Sequence, residues 1–126
     1  QKADFFHMIW SCLHISPFWE YVEREISWVL GTTITLTPAA ALLGLLEGLG
    51  KGRGERTFIG MATMIAKRDI AKRWNQPATP TMIELRRGMN WCAVLEKPVY
   101  EARGCPGIFN KIWGGWLEYH ALPNVI

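Results

Sequence analysis

The sequence predicts an all-α fold, a small bundle of about five amphipathic helices with a glycine-rich loop. Apolar residues recur at three- and four-residue intervals in several segments, which is the spacing of one helix face. Two segments carry the side-chain signals of a helix start, Ser16-Pro17 and Thr81-Met82-Ile83-Glu84. The β-branched segment 32–37 is typical of extended backbone, but no second clear strand is present to pair with it. We therefore expect a connector there rather than part of a sheet.

Two helices are expected before residue 31. The first covers 3–13, where apolar side chains recur at helical spacing. The second begins with Ser16 as the N-cap and Pro17 at the first helical position, where the missing N–H of proline leaves no hydrogen bond unmade. Gly31 is placed to end this helix, because glycine readily adopts the left-handed conformation found after a last helical turn.

The middle of the chain is expected to hold a small helix, a loop and a long helix. Pro38 opens the small helix, which is apolar and continues to Leu46. The glycines of 47–55 favour a flexible loop, because glycine loses much backbone entropy in a regular element. The long helix covers 55–75. Its inward-facing ridge consists of Ile59, Ala62, Ala66 and Ile70.

Two further helices are expected toward the C-terminus. Thr81 and Glu84 form a capping box, in which each side chain satisfies a free backbone N–H of the first turn. The helix that follows is expected to bury Leu85, Met89 and Cys92, and Pro98 and Gly104 then interrupt the chain. The last helix follows Pro106, and its apolar stripe consists of Phe109, Ile112, Trp113, Trp116 and Leu117.

Seven tryptophans in 126 residues provide large rigid groups that require burial or a stacking partner. We expect Trp28, Trp113 and Trp116 to pack in the core. Trp10 and Trp74 lie beside candidate metal-binding and cationic positions, so a role in ligand binding is an alternative to core packing for these two.

Positive charge is concentrated in the second part of the chain. Residues 1–50 hold two basic and five acidic side chains, a net charge of −3, whereas residues 51–126 hold twelve and six, a net charge of +6. Such a basic segment can bind a phosphate backbone, and a solvated helix face is the alternative. The candidate nucleic-acid-binding cations are Lys67, Arg68, Lys72, Arg73, Arg86 and Arg87.

Three local charge patterns add expectations about pairing. Asp69 and Arg73 are four residues apart and can pair along their helix. Cations in the first turn of a helix, here Arg86 and Arg87, oppose the helix dipole, so an anionic partner there would relieve a small local cost. The three carboxylates of the second helix are expected to be solvated. They are Glu20, Glu23 and Glu25.

Few groups in the sequence could carry catalysis. None of the spacings H-E-x-x-H, G-x-S-x-G and C-x-x-C is present, and the glycines of 47–55 do not form a phosphate-binding motif. We therefore expect no independent enzymatic activity. Three widely separated cysteines argue for a reducing compartment. With no spanning apolar segment and no signal-peptide pattern, we expect an intracellular protein, nuclear or cytoplasmic, that is neither membrane-bound nor secreted.

One pair has the spacing of a metal motif. His7 and Cys12 form an H-x4-C pair, the ending of a C-x-C-x-H-x-C zinc knuckle whose first two cysteines would lie before Gln1. In an unbroken helix the two side chains would lie about 140° apart and could not hold one zinc ion. Zinc is therefore expected only with upstream cysteines. The alternatives are a buried structural pair or a long-range set with Cys92 and Cys105.

The order of motifs along the chain carries a family resemblance. The motifs are His7–Cys12, Pro17–Trp19, Pro38–Leu45, Ala66–Arg68, Arg73-Trp74, Leu95–Lys97, Tyr100, Arg103-Gly104 and Phe109–Trp113. In this order they resemble the C-terminal region of LINE-type (non-LTR) retrotransposon polyproteins, downstream of the reverse transcriptase. The resemblance covers nearly the whole chain and is closest to vertebrate elements. It divides the chain into a remnant of a zinc-knuckle-like segment at 1–15 and a helical C-terminal domain at 16–126.

The resemblance implies a non-catalytic accessory role, holding template RNA or target DNA near the polymerase during target-primed reverse transcription. The paired-aspartate motif of the polymerase and the acidic residues of the endonuclease are absent. The expected partners are RNA or single-stranded DNA and the polymerase core of the parent polyprotein, with Trp74 among the side chains that could stack on bases. The alternative is a helical protein-interaction module, which a large exposed Trp/Met patch with dispersed cations would favour. A third possibility is a degenerate copy with no selected activity.

Overall fold

The structure, a computed structural model, describes Trp10, 15–73 and 79–120, and within those residues its regular secondary structure is entirely helical. The helices are α1 Ser16–Leu30, α2 Pro38–Leu43, α3 Arg53–Lys72, α4 Met82–Ala102 and α5 Pro106–His120. The prediction of a small all-α bundle is confirmed. The helix predicted at 3–13 lies outside the described residues, apart from Trp10, whose ring lies 5.3 Å from that of Trp19.

Helix α1 begins one residue earlier than the sequence predicts and ends where it predicts. Ile15 is the N-cap, and Ser16 is the first helical residue. At the other end Gly31 adopts a left-handed conformation with φ 70°, and its N–H and that of Thr32 donate to carbonyls of the last turn. This pattern is a Schellman motif, for which glycine is favoured.

The segment 32–37 is an extended connector, as predicted. Its backbone is held by side chains of α1 rather than by a second strand. The N–H of Ile34 donates to Ser27 Oγ (2.9 Å), and the N–H of Leu36 donates to the Glu23 carboxylate (2.6 Å). Both Ile34 and Leu36 are buried, so the connector closes one side of the core.

Helix α2 is shorter than predicted, and the glycine-rich loop lies earlier in the chain than predicted. Gly44 adopts a left-handed conformation and ends α2 at Leu43 rather than Leu46. The loop predicted at 47–55 ends at Gly52, because α3 already begins at Arg53. Glu55 supports this early start, since its carboxylate lies in the first turn and accepts the backbone N–H of Lys51 at 2.7 Å.

Helix α3 lies at the centre of the bundle and contacts all four other helices. The predicted inward ridge is confirmed, since its four residues are all buried. Phe58, one turn after the start of α3, lies between two indoles of α5: its ring centroid is 5.7 Å from Trp113 and 5.9 Å from Trp116. Such aromatic packing accounts for much of the apolar area that the core buries.

Helix α4 has the predicted capping box, with both reciprocal Thr81–Glu84 hydrogen bonds present. The expectation that Pro98 interrupts the helix is wrong, because α4 continues through Pro98 to Ala102. A proline removes one N–H and crowds the preceding turn, but this one is exposed and only four residues from the helix end. Leu85 and Met89 are buried as predicted, whereas Cys92 is only half-buried.

Helix α5 packs two tryptophans into the core, as predicted. Both indole N–H groups donate to α4: Trp113 to Glu96 Oε1 (2.9 Å) and Trp116 to Asn90 Oδ1 (2.8 Å). The same expectation for Trp28 is wrong, since Trp28 is 67% exposed. Trp28 is two residues after the buried Ile26, which places it on the opposite face of α1.

Two helices of the described chain, α3 and α4, have enough residues to reach across a bilayer. Neither of the two is apolar enough to do so, and the other helices in the described ranges are too short.

Candidate nucleic-acid interface

A surface groove lies between the second half of α3 and the first half of α4. We call it the α3/α4 groove, and its volume is about 770 Å³. Four of the six candidate cations line it, joined by an exposed tryptophan. Its lining consists of Arg68, Asp69, Lys72, Ile83, Glu84, Arg86, Arg87, Gly88, Asn90, Trp91 and Val94.

The groove exists where α3 and α4 approach each other closely at Gly88. A Cβ at Gly88 would lie 2.8 Å from Ile65 Cγ2 and 3.0 Å from Arg68 Nη2. The guanidinium of Arg68 therefore extends from α3 over the backbone of α4. A side chain at position 88 would force these groups apart, because real Cβ atoms keep larger distances.

Three of the predicted cations are available to a ligand in the groove. No carboxylate lies within 4.0 Å of the amine of Lys72 or the guanidinium of Arg87 among the described residues. Arg68 approaches Asp69 only to 3.9 Å, and its side chain is 53% exposed. These three side chains project from two helices into one solvent-filled space, so they can contact neighbouring phosphates of one strand.

Arg73 is held by a partner that the sequence analysis did not predict. Its guanidinium donates to Glu84 Oε2 through Nη2 (2.6 Å) and Nε (3.2 Å) rather than pairing with Asp69. The reason is that α3 ends at Lys72, so Arg73 leaves the helical path and turns toward α4. The hydrogen bond from Arg73 lowers the pKa of Glu84, and the same bond raises the pKa of Arg73. This cation therefore links α3 to α4.

Arg86 is likewise engaged inside the molecule. Its Nε and Nη2 donate to the two carboxylate oxygens of Glu25 at 2.9 and 3.1 Å, and this bond raises the pKa of Arg86. Glu25 also accepts a hydrogen bond from Nε2 of His120 at 2.9 Å. The expectation that Glu25 is solvated is therefore wrong. Because α4 begins at Met82, Arg86 and Arg87 lie after its first turn and not within it as expected, and the anionic partner of Arg86 is supplied by α1.

The remaining predicted site residues fall into two groups. Lys67 is directed toward α2, where its amine donates to the carbonyl of Leu42 at 3.4 Å, and it does not line the groove. Trp74, His7 and Cys12 lie outside the described residues, so their proposed roles stay predictions. Within the described ranges, no three His, Cys, Asp or Glu side chains are arranged to hold a metal ion.

Trp91 is the site residue that the sequence analysis missed. Its side chain is 63% exposed, and Ile83, on the same face of α4, is 66% exposed. The signal was present in the spacing: Trp91 is four residues after Arg87 and eight after Ile83, whereas the buried ridge of α4 contains Leu85 and Met89. An exposed indole beside cations is a surface on which an unpaired base can stack.

The floor of the groove contains a buried carboxylate, Asp69. Its Oδ2 has no hydrogen-bond partner among the described residues. Burial raises the pKa of Asp69, the nearby Arg68 lowers it, and Glu84 raises it further. Asp69 adds negative charge below the three available cations, so it weakens the attraction of the groove for anions.

In chemical terms the groove provides cations for phosphates and an indole for stacking. No family model matches this chain, and no solved structure matches it.

Proposed function

We propose that this chain is a non-catalytic accessory domain that binds single-stranded nucleic acid, either template RNA or target DNA. The observation that carries the proposal is the α3/α4 groove, in which Arg68, Lys72 and Arg87 surround the exposed Trp91. Cations hold phosphates of any sequence, and an indole stacks on any unpaired base, so this combination supports sequence-tolerant binding of single strands. The motif order supports assigning the domain to the C-terminal region of a LINE-type retrotransposon protein.

The number of available cations sets the expected strength and salt dependence. Three phosphate contacts on a single strand give a slope of log K against log salt of about −2. Affinity should therefore fall roughly 20-fold between about 50 and 200 mM salt. One stacked base contributes about 1–3 kcal/mol more. We expect dissociation constants in the micromolar range or weaker.

The direct test is charge reversal with a charge-matched control. The variant Lys72→Glu/Arg87→Glu removes two of the available cations from the groove. The control Lys51→Glu/Arg103→Glu makes the same change in net charge at exposed positions that do not line the groove. These positions adjoin the start of α3 and the end of α4, at the far ends of both helices from the groove. Binding of a fluorescent oligouridylate is measured by anisotropy across a salt series.

The groove variant should lose at least tenfold in affinity and have a salt slope close to −0.7, whereas the control should keep both the wild-type slope and most of the affinity. Equal losses in the two variants would mean that binding follows net charge alone and not the groove. Failure of the wild-type domain to bind any single strand in a salt-dependent way would refute the proposal. That last result would leave the alternative, a protein-interaction module that docks on a polymerase core.

A further inference from the structure

A second depression lies beside the groove, between α1, α4 and α5, with a volume of about 220 Å³. We call it the aromatic pocket. Three rings line it, Tyr21, Trp28 and Tyr119, together with the arginines Arg24 and Arg86. The proposed function uses none of these rings.

The three rings are exposed, and two of them are in contact with each other. Trp28 is 67% exposed, and its ring meets that of Tyr119 edge-on at a centroid distance of 6.0 Å. The guanidinium of Arg24 lies 5.3 Å from the centroid of the Tyr21 ring, within the range of a cation–π contact. Large aromatic groups exposed side by side usually serve recognition in a stable domain. This cluster offers ring faces and a cation within one small concavity.

The aromatic pocket adjoins the α3/α4 groove, since Arg86 lines both. Glu25 fixes the guanidinium through Nε and Nη2, yet the side chain remains 44% exposed. The N–H groups of Nη1 take part in none of these bonds and remain able to donate to a phosphate. Arg86 is therefore a fixed hydrogen-bond donor that lines both depressions, one of which contains Trp91 and the other Trp28.

Basic side chains outnumber acidic ones in the linings of both the groove and the pocket. The groove lining has four cations and two carboxylates, and the pocket lining has two cations and one carboxylate, with Arg86 common to both. That shared arginine and the pocket carboxylate, Glu25, are already paired with each other. A polyanion that enters the groove therefore meets no uncompensated carboxylate in the pocket lining.

We propose that one single strand of nucleic acid occupies both depressions, with one base stacked at Trp91, a phosphate at Arg86 and a second base stacked in the aromatic pocket at Trp28. This extension rests on the proposed function and adds to it a second stacking site and a minimum length of ligand. The net positive charge of both linings and the exposed tryptophan in each favour a strand over a peptide as the occupant.

The test compares two oligouridylates of about four and about twelve nucleotides, both within the range of site sizes of single-strand binding domains. The variants are Trp28→Ala, Trp28→Tyr and Trp91→Ala, with Leu43→Ala as a control at a highly exposed position outside both depressions. Thermal melts confirm that each variant folds. Oligouridylate is chosen because its bases stack little on one another and are free to stack on the protein.

The wild-type domain should bind the longer strand at least tenfold more tightly than the shorter one. Trp28→Ala should remove the extra affinity for the longer strand and leave the affinity for the shorter strand unchanged. Trp28→Tyr should restore part of the extra affinity. Trp91→Ala should weaken both strands. If Trp28→Ala binds the long strand as the wild type does while Trp91→Ala is weakened, the second site is refuted and the groove stands, which would leave Trp28 on a protein-facing surface. If neither strand binds, the proposed function itself fails.

Discussion

The contact that joins α1, α4 and α5 through Glu25 gives the sharpest stability prediction. Substitution Glu25→Ala removes the acceptor for both bonds from Arg86 and for the bond from His120. The Arg86 side chain is 44% exposed, so water can replace its two bonds, and their loss costs about 1 kcal/mol. His120 is only 16% exposed, and its orphaned ring N–H costs about 1–2 kcal/mol. The total loss is about 2–3 kcal/mol.

Thermal and urea unfolding monitored by circular dichroism measure this loss. For a domain of this size we expect the Tm to fall by about 6–15 °C. Glu20→Ala is the matched control, because Glu20 is an exposed carboxylate on the same helix, and it should change stability by about 0.5 kcal/mol or less. Glu25→Ala should also raise affinity for oligouridylate at low salt, since it leaves Arg86 uncompensated. A Glu25→Ala protein that melts at the wild-type temperature would refute the reasoning.

Two further substitutions test the packing and the electrostatics of the bundle. Gly54→Ala should destabilise the fold by about 1 kcal/mol or more in urea titrations although alanine favours helix. A Cβ there would lie 2.8 Å from the carbonyl oxygen of Lys111, and Gly107→Ala, with no neighbour within 4 Å, is the control that should not destabilise. Asp69→Asn should stabilise the protein at pH 7 by on the order of 1 kcal/mol, because burial raises the pKa of Asp69 and so penalises its charged form. A protonated carboxyl does not carry that penalty. The gain in unfolding free energy from Asp69→Asn should therefore shrink as the pH falls through the raised pKa of Asp69. A gain that grows toward acid pH would contradict the raised pKa.

The helices were predictable because their signals are local. The capping box at Thr81, the turn at Gly31 and the apolar ridge of α3 each depend on residues within a few positions of one another. The errors arose where contacts between helices override a local signal. Gly54 is an example. The many glycines around it indicate a loop, but Gly54 lies in α3, where its missing side chain lets the start of α3 pack against the backbone of α5. Pro98 is a separate case, since α4 continues through it at an exposed position four residues before the helix ends.

The candidate site was predictable only as a set of charges. The sequence indicates that the segment is basic, but whether a given cation faces a ligand depends on partners far away in the chain. Arg86 pairs with Glu25, 61 residues earlier, and no periodicity within α4 contains that information. Arg87, the next residue, has no such partner among the described residues and lines the groove.

The distribution of these cations explains how a domain of modest net charge can present a positive groove. Arg73 and Arg86 hold α3 to α4 and α1 to α4 through carboxylates, so their charges are compensated where the helices meet. The three available cations then lie on the same two helices that those ion pairs fix in place. Weakening an ion pair should therefore change the shape of the groove as well as the stability. Binding measurements on Arg73 or Arg86 variants therefore need a thermal melt as a control for folding. Variants of Lys72 and Arg87 need this control far less, because these two residues lie at exposed positions.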